Sequence, residues 1–294
     1  MDSAANSACR FSVVIPTCNR PALLSHCLDR IAPNGQNFRS DSYEVIVTDD
    51  GNQQQQVAHL LKANYPWVEW VEGPRRGPAA NRNHGASLAK GEWLLFCDDD
   101  CLPDANLLDA YARALQSHPD CQVFEGRTMA DREKRHPLEE SPINDRGGNL
   151  WSCNFAIRRS LFEKMGGFDE SFPNAAGEDF ELRLRLEKAG IPVVFLTDAM
   201  VIHPWRRLSI AGYLRQQARH RRSHLLMMTL HPDYRSYFTA WHVAKDVVRY
   251  YLKHFSRDLK SFGGSALLFQ PLFLWCQLQR VVAYRFGISP CCDK

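Results

Sequence analysis

Over the first two thirds of the chain, short β-branched apolar runs alternate with longer stretches in which apolar residues recur at helical spacing. Phe11-Ser12-Val13-Val14-Ile15, stopped by Pro16, reads as a buried strand. Leu23, Leu24, Cys27, Leu28 and Ile31 then predict a helix over 21–31, with Asn19 as its cap and Pro21 in its first turn. The same alternation gives a strand over 43–48, a helix over 54–64, an extended piece over 67–71, a helix over 79–89 and a strand over 93–96. Strands and helices in this order predict an α/β protein with a mostly parallel, doubly wound sheet. Such sheets bind ligands beyond the carboxyl ends of their strands, where Thr17, Asp49-Asp50 and Asp98-Asp99-Asp100 would gather.

The pattern is less regular afterwards. Residues 121–124 read as a strand, and the polar stretch 127–149, broken by Pro137, Pro142, Gly147 and Gly148, as a mobile loop beside the site. Residues 150–157 are extended, 160–165 a short helix closed by Gly166-Gly167, and Glu178-Asp179 opens an amphipathic helix ended by Gly190. Strands are expected over 192–196 and again at Val201-Ile202-His203. Beyond Pro204 the character changes. Arginines interleave with Leu and Tyr over 205–228 as in a basic amphipathic helix, and 261–279 carries no charge at all. That uncharged run is marginal for a span of about 20 apolar residues. An interfacial or re-entrant helix pair, a packed soluble helix and a true span all fit it. The expected organisation is therefore a catalytic domain over 1–205 and a helical, basic and apolar extension over 206–294.

Charge sharpens that division. The net charge of +3 combines 21 Lys/Arg against 29 Asp/Glu in residues 1–200 with 15 against 4 in residues 201–294. A basic tail behind an acidic front half points to an anionic partner. Leu, Phe and Trp among its arginines favour a lipid surface over nucleic acid. The ten cysteines are scattered without a C-x-x-C pair, and Met1 to Arg10 has no apolar signal-peptide core, so a reducing cytoplasm is expected.

The candidate chemistry begins with Asp98-Asp99-Asp100 at the mouth of a buried strand. Three adjacent carboxylates repel unless a cation sits among them, and hard oxygen ligands suit Mg2+ or Mn2+ shared with substrate phosphates. The bland reading is an acidic first turn before the 105–108 run. Asp49-Asp50-Gly51 also reads as a turn, and Glu178-Asp179 also reads as two acids stabilising a helix start.

Phe11 to Arg20, Val47 to Gly51, Arg76-Gly77-Pro78-Ala79-Ala80-Asn81-Arg82-Asn83-His84-Gly85, Asp98 to Asp100, Gly166-Gly167-Phe168-Asp169-Glu170 and Gly177-Glu178-Asp179 occur in this order. Together they resemble the GT-A glycosyltransferases of family 2, rhamnosyltransferase-like enzymes of the bacterial type, over about residues 10–205. The resemblance implies a GT-A sheet and an inverting, metal-dependent transfer of a hexosyl or deoxyhexosyl unit. The donor would be a UDP-, dTDP- or GDP-sugar and the acceptor a hydroxyl of a polysaccharide, glycolipid or lipid-linked glycan, as in cell-envelope polysaccharide synthesis. Asp98-x-Asp100 matches the family's D-x-D, whose carboxylates hold the divalent ion, with Asp100 the more direct metal ligand, Asp98 nearer the ribose or sugar, and Asp99 an added acid of unassigned role beside the donor. Asp49 and Asp50 would receive the nucleoside, Pro16 and Thr17 form its rim, and Arg20 approach the diphosphate. Arg82 would pair with phosphate or with a site aspartate. Asp179 matches the general base, with Glu178 orienting base or acceptor. His203 would be a further metal or diphosphate ligand, Trp205-Arg206-Arg207 would close over the diphosphate, and Trp151, Cys153 and Asn154 would line the acceptor side. The expected location is cytoplasmic, peripheral on the inner face of the membrane through 206–294.

Two other functions fit parts of this pattern. A sugar-phosphate nucleotidylyltransferase wants a glycine-rich loop after the first strand, which Pro16-Thr17-Cys18-Asn19-Arg20 lacks. A non-catalytic nucleotide-binding scaffold at a membrane is disfavoured by the intact set Asp100, Glu178 and Asp179.

Overall fold

A computed structural model describes residues 10–234, 245, 248 and 259–286. The expectations for Met1 to Cys9, for 235–258 other than 245 and 248, and for 287–294 lie outside the described residues. The chain forms two units, one of Met1–Asp131 with Ser141–Pro204, the other of Arg132–Glu140 with Trp205–Lys294.

In the first unit β1 (Phe11–Thr17), β2 (Tyr43–Asp49), β3 (Val68–Glu72) and β4 (Trp93–Cys97) are parallel, in the order β3-β2-β1-β4. Their apolar runs are continuous because helices cover both faces. Val13 and Ile15 enter a core with Leu24, Leu28 and Ile31 of α1 (Pro21–Ile31) and Leu61 of α2 (Gln54–Asn64). Val14 points the other way, into a core with Ala79 and Ala86 of α3 (Pro78–Leu88). Pro16 does not end β1, because pairing with β4 already stops at Val14.

Beyond β4 the sheet is mixed. β5 (Leu102–Pro103) and α4 (Leu107–Ser117) lead to β6 (Val123–Met129), and β8 (Asn154–Arg158) lies antiparallel between β4 and β6. Phe96 of β4 stacks on Phe155 of β8 at 5.0 Å between ring centroids. After α5 (Arg159–Lys164) and α6 (Glu178–Lys188), β9 (Val194–Ile202) runs parallel to β6, with one register shift at Gly126/Arg127. The two short strands expected over 192–203 are thus one.

The polar stretch 127–149, expected to lack regular structure, is pinned at both ends. Buried Glu125 accepts the backbone N–H groups of Gly148, Asn149 (3.0 Å) and Leu150 (2.8 Å) and the Asn144 amide (3.2 Å). The middle, Arg132–Glu140, belongs to the second unit. There β7 (Glu139–Glu140) pairs antiparallel with β10 (Arg206–Arg207), Trp205 donates to the Arg132 carbonyl (2.7 Å), and Leu208 donates to that of Leu138 (2.9 Å).

Ser209 caps α7 (Ile210–Leu230) by accepting the Gly212 N–H at 3.0 Å. The helix Gly264–Phe286 runs through Pro271 without a break and packs Phe273 on Tyr213 and Ala283 beside Met228 of α7.

Glu139, only 5% exposed, generates a pH prediction. It accepts from Arg132 (2.8 and 3.1 Å) and from the N–H groups of Arg135 (2.7 Å) and His136 (3.1 Å). The Arg132 hydrogen bonds, helped by the backbone donors and opposed by burial, hold its carboxyl down at about 2. A depressed carboxyl stabilises the fold above its ordinary pKa and stops doing so as pH falls toward the folded value. Glu139→Gln therefore costs on the order of 2–3 kcal/mol at neutral pH. Denaturant titrations should show that difference shrinking between about pH 5 and pH 3; a difference that stays flat over this window contradicts the assignment.

Candidate functional site

The carboxyl ends of β1, β2 and β4 come together because register sets Thr17 beside Asp49 while β4 runs on into Asp98-Asp99-Asp100. The loops after β1 and β2 are tied by two bonds, from Asp50 N–H to the Thr17 carbonyl (3.0 Å) and from Asn52 N–H to Asn19 Oδ1 (2.8 Å).

The three aspartates have three environments. Asp98 Oδ1 accepts from Arg82 Nη2 at 2.6 Å. Asp99 is fully buried, accepts from Thr17 Oγ1 (2.7 Å) and Arg20 Nε (3.1 Å), and pairs through Oδ1 with Arg20 Nη2 at 2.5 Å. Burial pushes the Asp99 carboxyl up to about 7, against the pull of Arg20 and Thr17. Asp100 places Oδ2 on Arg20 Nη1 (2.9 Å) and Oδ1 3.2 Å from His203 Nε2. Burial lowers the His203 proton affinity, but the hydrogen bond and charge of Asp100, with Asp98 behind, outweigh it and leave the imidazole above its ordinary pKa.

Arg82 is the centre of the network. It projects from α3, is 2% exposed, and gives Nη1 to Glu178 Oε1 (2.9 Å) while Nη2 holds Asp98. Burial works against its charge, and Asp98 and Glu178 more than compensate, so its pKa rises. Phe168 lies under the guanidinium at 5.8 Å.

Glu178 and Asp179 open α6 behind Gly177, whose φ of +96° is a left-handed backbone that glycine adopts without strain. Asp179 accepts from Phe180 N–H (2.7 Å, Oδ1) and Ser152 N–H (3.2 Å, Oδ2). Burial raises both carboxyls of this coupled pair, and the Asp179 charge raises Glu178 further against Arg82. Glu178 Oε2 is buried without a hydrogen-bond partner. A carboxyl oxygen in that state fits a hydroxyl group of a ligand.

Asp49 is fully buried, its Oδ1 on the Gly51 N–H (2.7 Å). Asp50 is more open and receives the N–H groups of Arg75 (2.8 Å) and Gly77 (3.3 Å). A Cβ at Gly73 would stand 2.2 Å from Asp50 Oδ1, so glycine lets the chain pass there.

The structure thus gathers Thr17, Arg20, Arg82, Asp98, Asp99, Asp100, Glu178, Asp179 and His203 into one linked set. Cys153 and Asn154 are a correction. Both are buried, and the Asn154 amide is spent on the Arg127 (3.0 Å) and Ala199 (2.9 Å) carbonyls and on Tyr111 OH (2.8 Å). Cys153 packs in the core and Asn154 opens β8, and Ser152, which the sequence did not single out, is the neighbour of Asp179. Trp205, Arg206 and Arg207 belong to the second unit. For a divalent ion the donor set fits: Asp100 Oδ1 and His203 Nε2 converge, and Asp98 is committed to Arg82.

This sheet and site define a class. The sequence model described as glycosyl transferase family 2 matches residues 12–173, and that of glycosyl transferase family group 2 matches 93–286. The chain belongs to glycosyltransferase family 2. It is 29% identical over 236 residues to a validoxylamine A glucosyltransferase of Streptomyces hygroscopicus subsp. limoneus, covering 66% of this chain and 51% of that protein. It is also 29% identical over 227 residues to the O-antigen biosynthesis protein RfbC of Myxococcus xanthus, covering 66% of this chain and 17% of the relative. The chain thus spans about half the length of the first relative and less of the second. In fold it is similar to the mannosyltransferase PcManGT from Pyrobaculum calidifontis, solved with GDP-Man and Mn2+ (TM-score 0.60, 18% identity, 94% of this chain and 85% of that one).

Proposed function

We propose that this chain is an inverting, metal-dependent glycosyltransferase that moves a sugar from a UDP-, dTDP- or GDP-sugar to an acceptor hydroxyl. The catalytic domain would be 1–205. One observation carries the reading: buried Arg82 joins Asp98, on the donor side, to Glu178, next to the base candidate Asp179. Leaving-group binding and proton removal then share one rigid ion network, and reactant placement is where much of a transfer barrier is lowered.

In this mechanism Asp50 meets the nucleoside above buried Asp49, with Pro16 and Thr17 as the rim. Arg20, oriented by Asp99 and Asp100, faces the diphosphate. A divalent ion held by Asp100 and His203, with Asp98 beside them, would supply neutralisation of the leaving diphosphate. Asp179 takes the proton of the acceptor hydroxyl as that oxygen attacks the sugar's anomeric carbon from the face opposite the departing diphosphate. Ser152 N–H holds the Asp179 carboxylate in place, and Glu178 Oε2 orients a sugar or acceptor hydroxyl.

The extension 206–294 is proposed to seat the enzyme on an anionic inner membrane surface, where a lipid-linked or polysaccharide acceptor would be extended. On the helix Gly264–Phe286, exposed Leu267, Leu268, Leu274, Trp275, Leu278 and Val282 fall on one side, opposite buried Phe273, Cys276 and Ala283. Arg215, Arg219 and Arg222 are exposed along one face of α7. The segment Ala266–Tyr284 is long and apolar enough to cross a membrane. The arginine-rich neighbour and one-sided stripe support a seat in the interface.

Asp179→Asn should cut turnover by roughly 10²–10⁴-fold while nucleotide binding persists. Because burial raises the Glu178–Asp179 pair, wild-type kcat/KM should climb with pH along an acid limb above the usual carboxylate range. Turnover untouched by the substitution removes Asp179 as base. In flotation assays, the full chain should rise with phosphatidylglycerol vesicles, less so as Trp275→Glu; a chain that stays down at low salt contradicts the membrane seat.

A further inference from the structure

The short strand β5 places a thiol against the candidate metal ligands. It runs antiparallel to the end of β9, with Leu102 opposite Ile202 and Pro103 opposite Val201. One residue further along that register, Cys101 stands opposite His203. Directly opposed residues in an antiparallel pair turn their side chains to the same face, with Cβ atoms about 5 Å apart. The chain turns just before, where Cys101 N–H bonds to the Asp98 carbonyl (3.2 Å), which brings Asp100 round to the same side. One ligand atom each from Asp100, Cys101 and His203 lies within 4.8 Å of the other two.

We propose that Asp100, Cys101 and His203 form an oxygen–sulfur–nitrogen site that takes a thiophilic divalent cation, of the Zn2+ or Co2+ kind, in preference to Mg2+. This rests on reading Asp100 and His203 as metal ligands, and adds the sulfur. Mg2+ demands an oxygen shell and keeps several waters, whereas thiolate and imidazole ligands select later transition metals. Binding replaces the Cys101 Sγ–H proton, which leaves to solvent. Thiolate and carboxylate then balance the ion's charge, and three protein ligands leave a position open for a water or a phosphate oxygen, as catalytic rather than structural zinc sites do. Ligands at about 2.0–2.3 Å from an ion stand roughly 3–4 Å apart, so the triad closes by a small side-chain movement.

The surroundings suit such an ion. His203 Nδ1 lies 3.3 Å from the Pro204 carbonyl, which leaves Nε2 toward the site. Asp100 Oδ2 is steadied by Arg20 while Oδ1 faces His203. Cys101 is fully buried within a core that also holds Cys97 and Cys153. Entry is open at Asp100, which lines a cleft of about 360 Å3 with Leu23, His26, Asp29, Leu102 and Pro204.

The test is a Co2+ titration of the full chain, read by absorption. Wild type should bind one ion per chain with a sulfur-to-metal charge-transfer band in the ultraviolet that about a hundredfold excess of Mg2+ does not remove. Cys101→Ser should lose that band and bind Co2+ more weakly, His203→Ala should weaken binding, and Cys153→Ser should retain the band. Co2+ bound by wild type without the band overturns the sulfur ligand and leaves the metal reading of Asp100 and His203 standing. A band that survives His203→Ala at full affinity but vanishes in Cys153→Ser puts the ion among the core cysteines and overturns the proposal. Failure to bind any Co2+ overturns both.

Discussion

A buried guanidinium shared by two carboxylates is the constraint on which this site depends. Arg82 is taken out of water by α3, and such a cation is tolerated only where its charge is matched. Asp98 and Glu178 do so from opposite directions, one at the end of a parallel strand and the other at the start of α6. Removing either acid would leave the arginine partly unmatched, a change that typically costs about 3–5 kcal/mol. The pairing therefore locks together the two segments to which the proposed mechanism gives donor binding and proton removal. It also accounts for Asp98 being set apart from Asp100: one acid braces the site, while the other turns toward His203.

Arg20 repeats this arrangement on a smaller scale. It is held by Asp99 and Asp100 and lies at the start of α1, so the middle acid of the triplet orients an arginine. Buried Asp99 is fixed by Thr17 as well, which ties the end of β1 to the end of β4. The acidic triplet relieves its own repulsion through two arginines and a histidine, each drawn from a different element.

Much of the parallel half of the sheet was legible because its strands are buried on both faces and so read as unbroken apolar runs. Polar residues at the strand ends stood out for the same reason. What escaped depended on register and on contacts distant in sequence. Nothing in Leu150 to Ile157 says that β8 will run antiparallel, or that Asn154 will spend its amide inside the core. No local pattern announces that Cys101 will oppose His203, since β5 is only two residues long. The polar stretch 127–149 looked featureless because its order comes from Glu125 on one side and from Arg206–Arg207 on the other. Pro16 looks like a stop and is not, since pairing with β4 has already ended at Val14 while pairing with β2 runs on to Thr17.

The central claim is that Asp100 helps hold a nucleotide-sugar for transfer. Its most direct test is donor turnover by the purified chain with UDP-, dTDP- and GDP-sugars and Mg2+ or Mn2+, beside Asp100→Ala. The account predicts slow, metal-dependent release of one nucleotide that the substitution abolishes. Release that Asp100→Ala leaves unchanged, or a chain that neither turns over nor binds any of the three nucleotides, contradicts it.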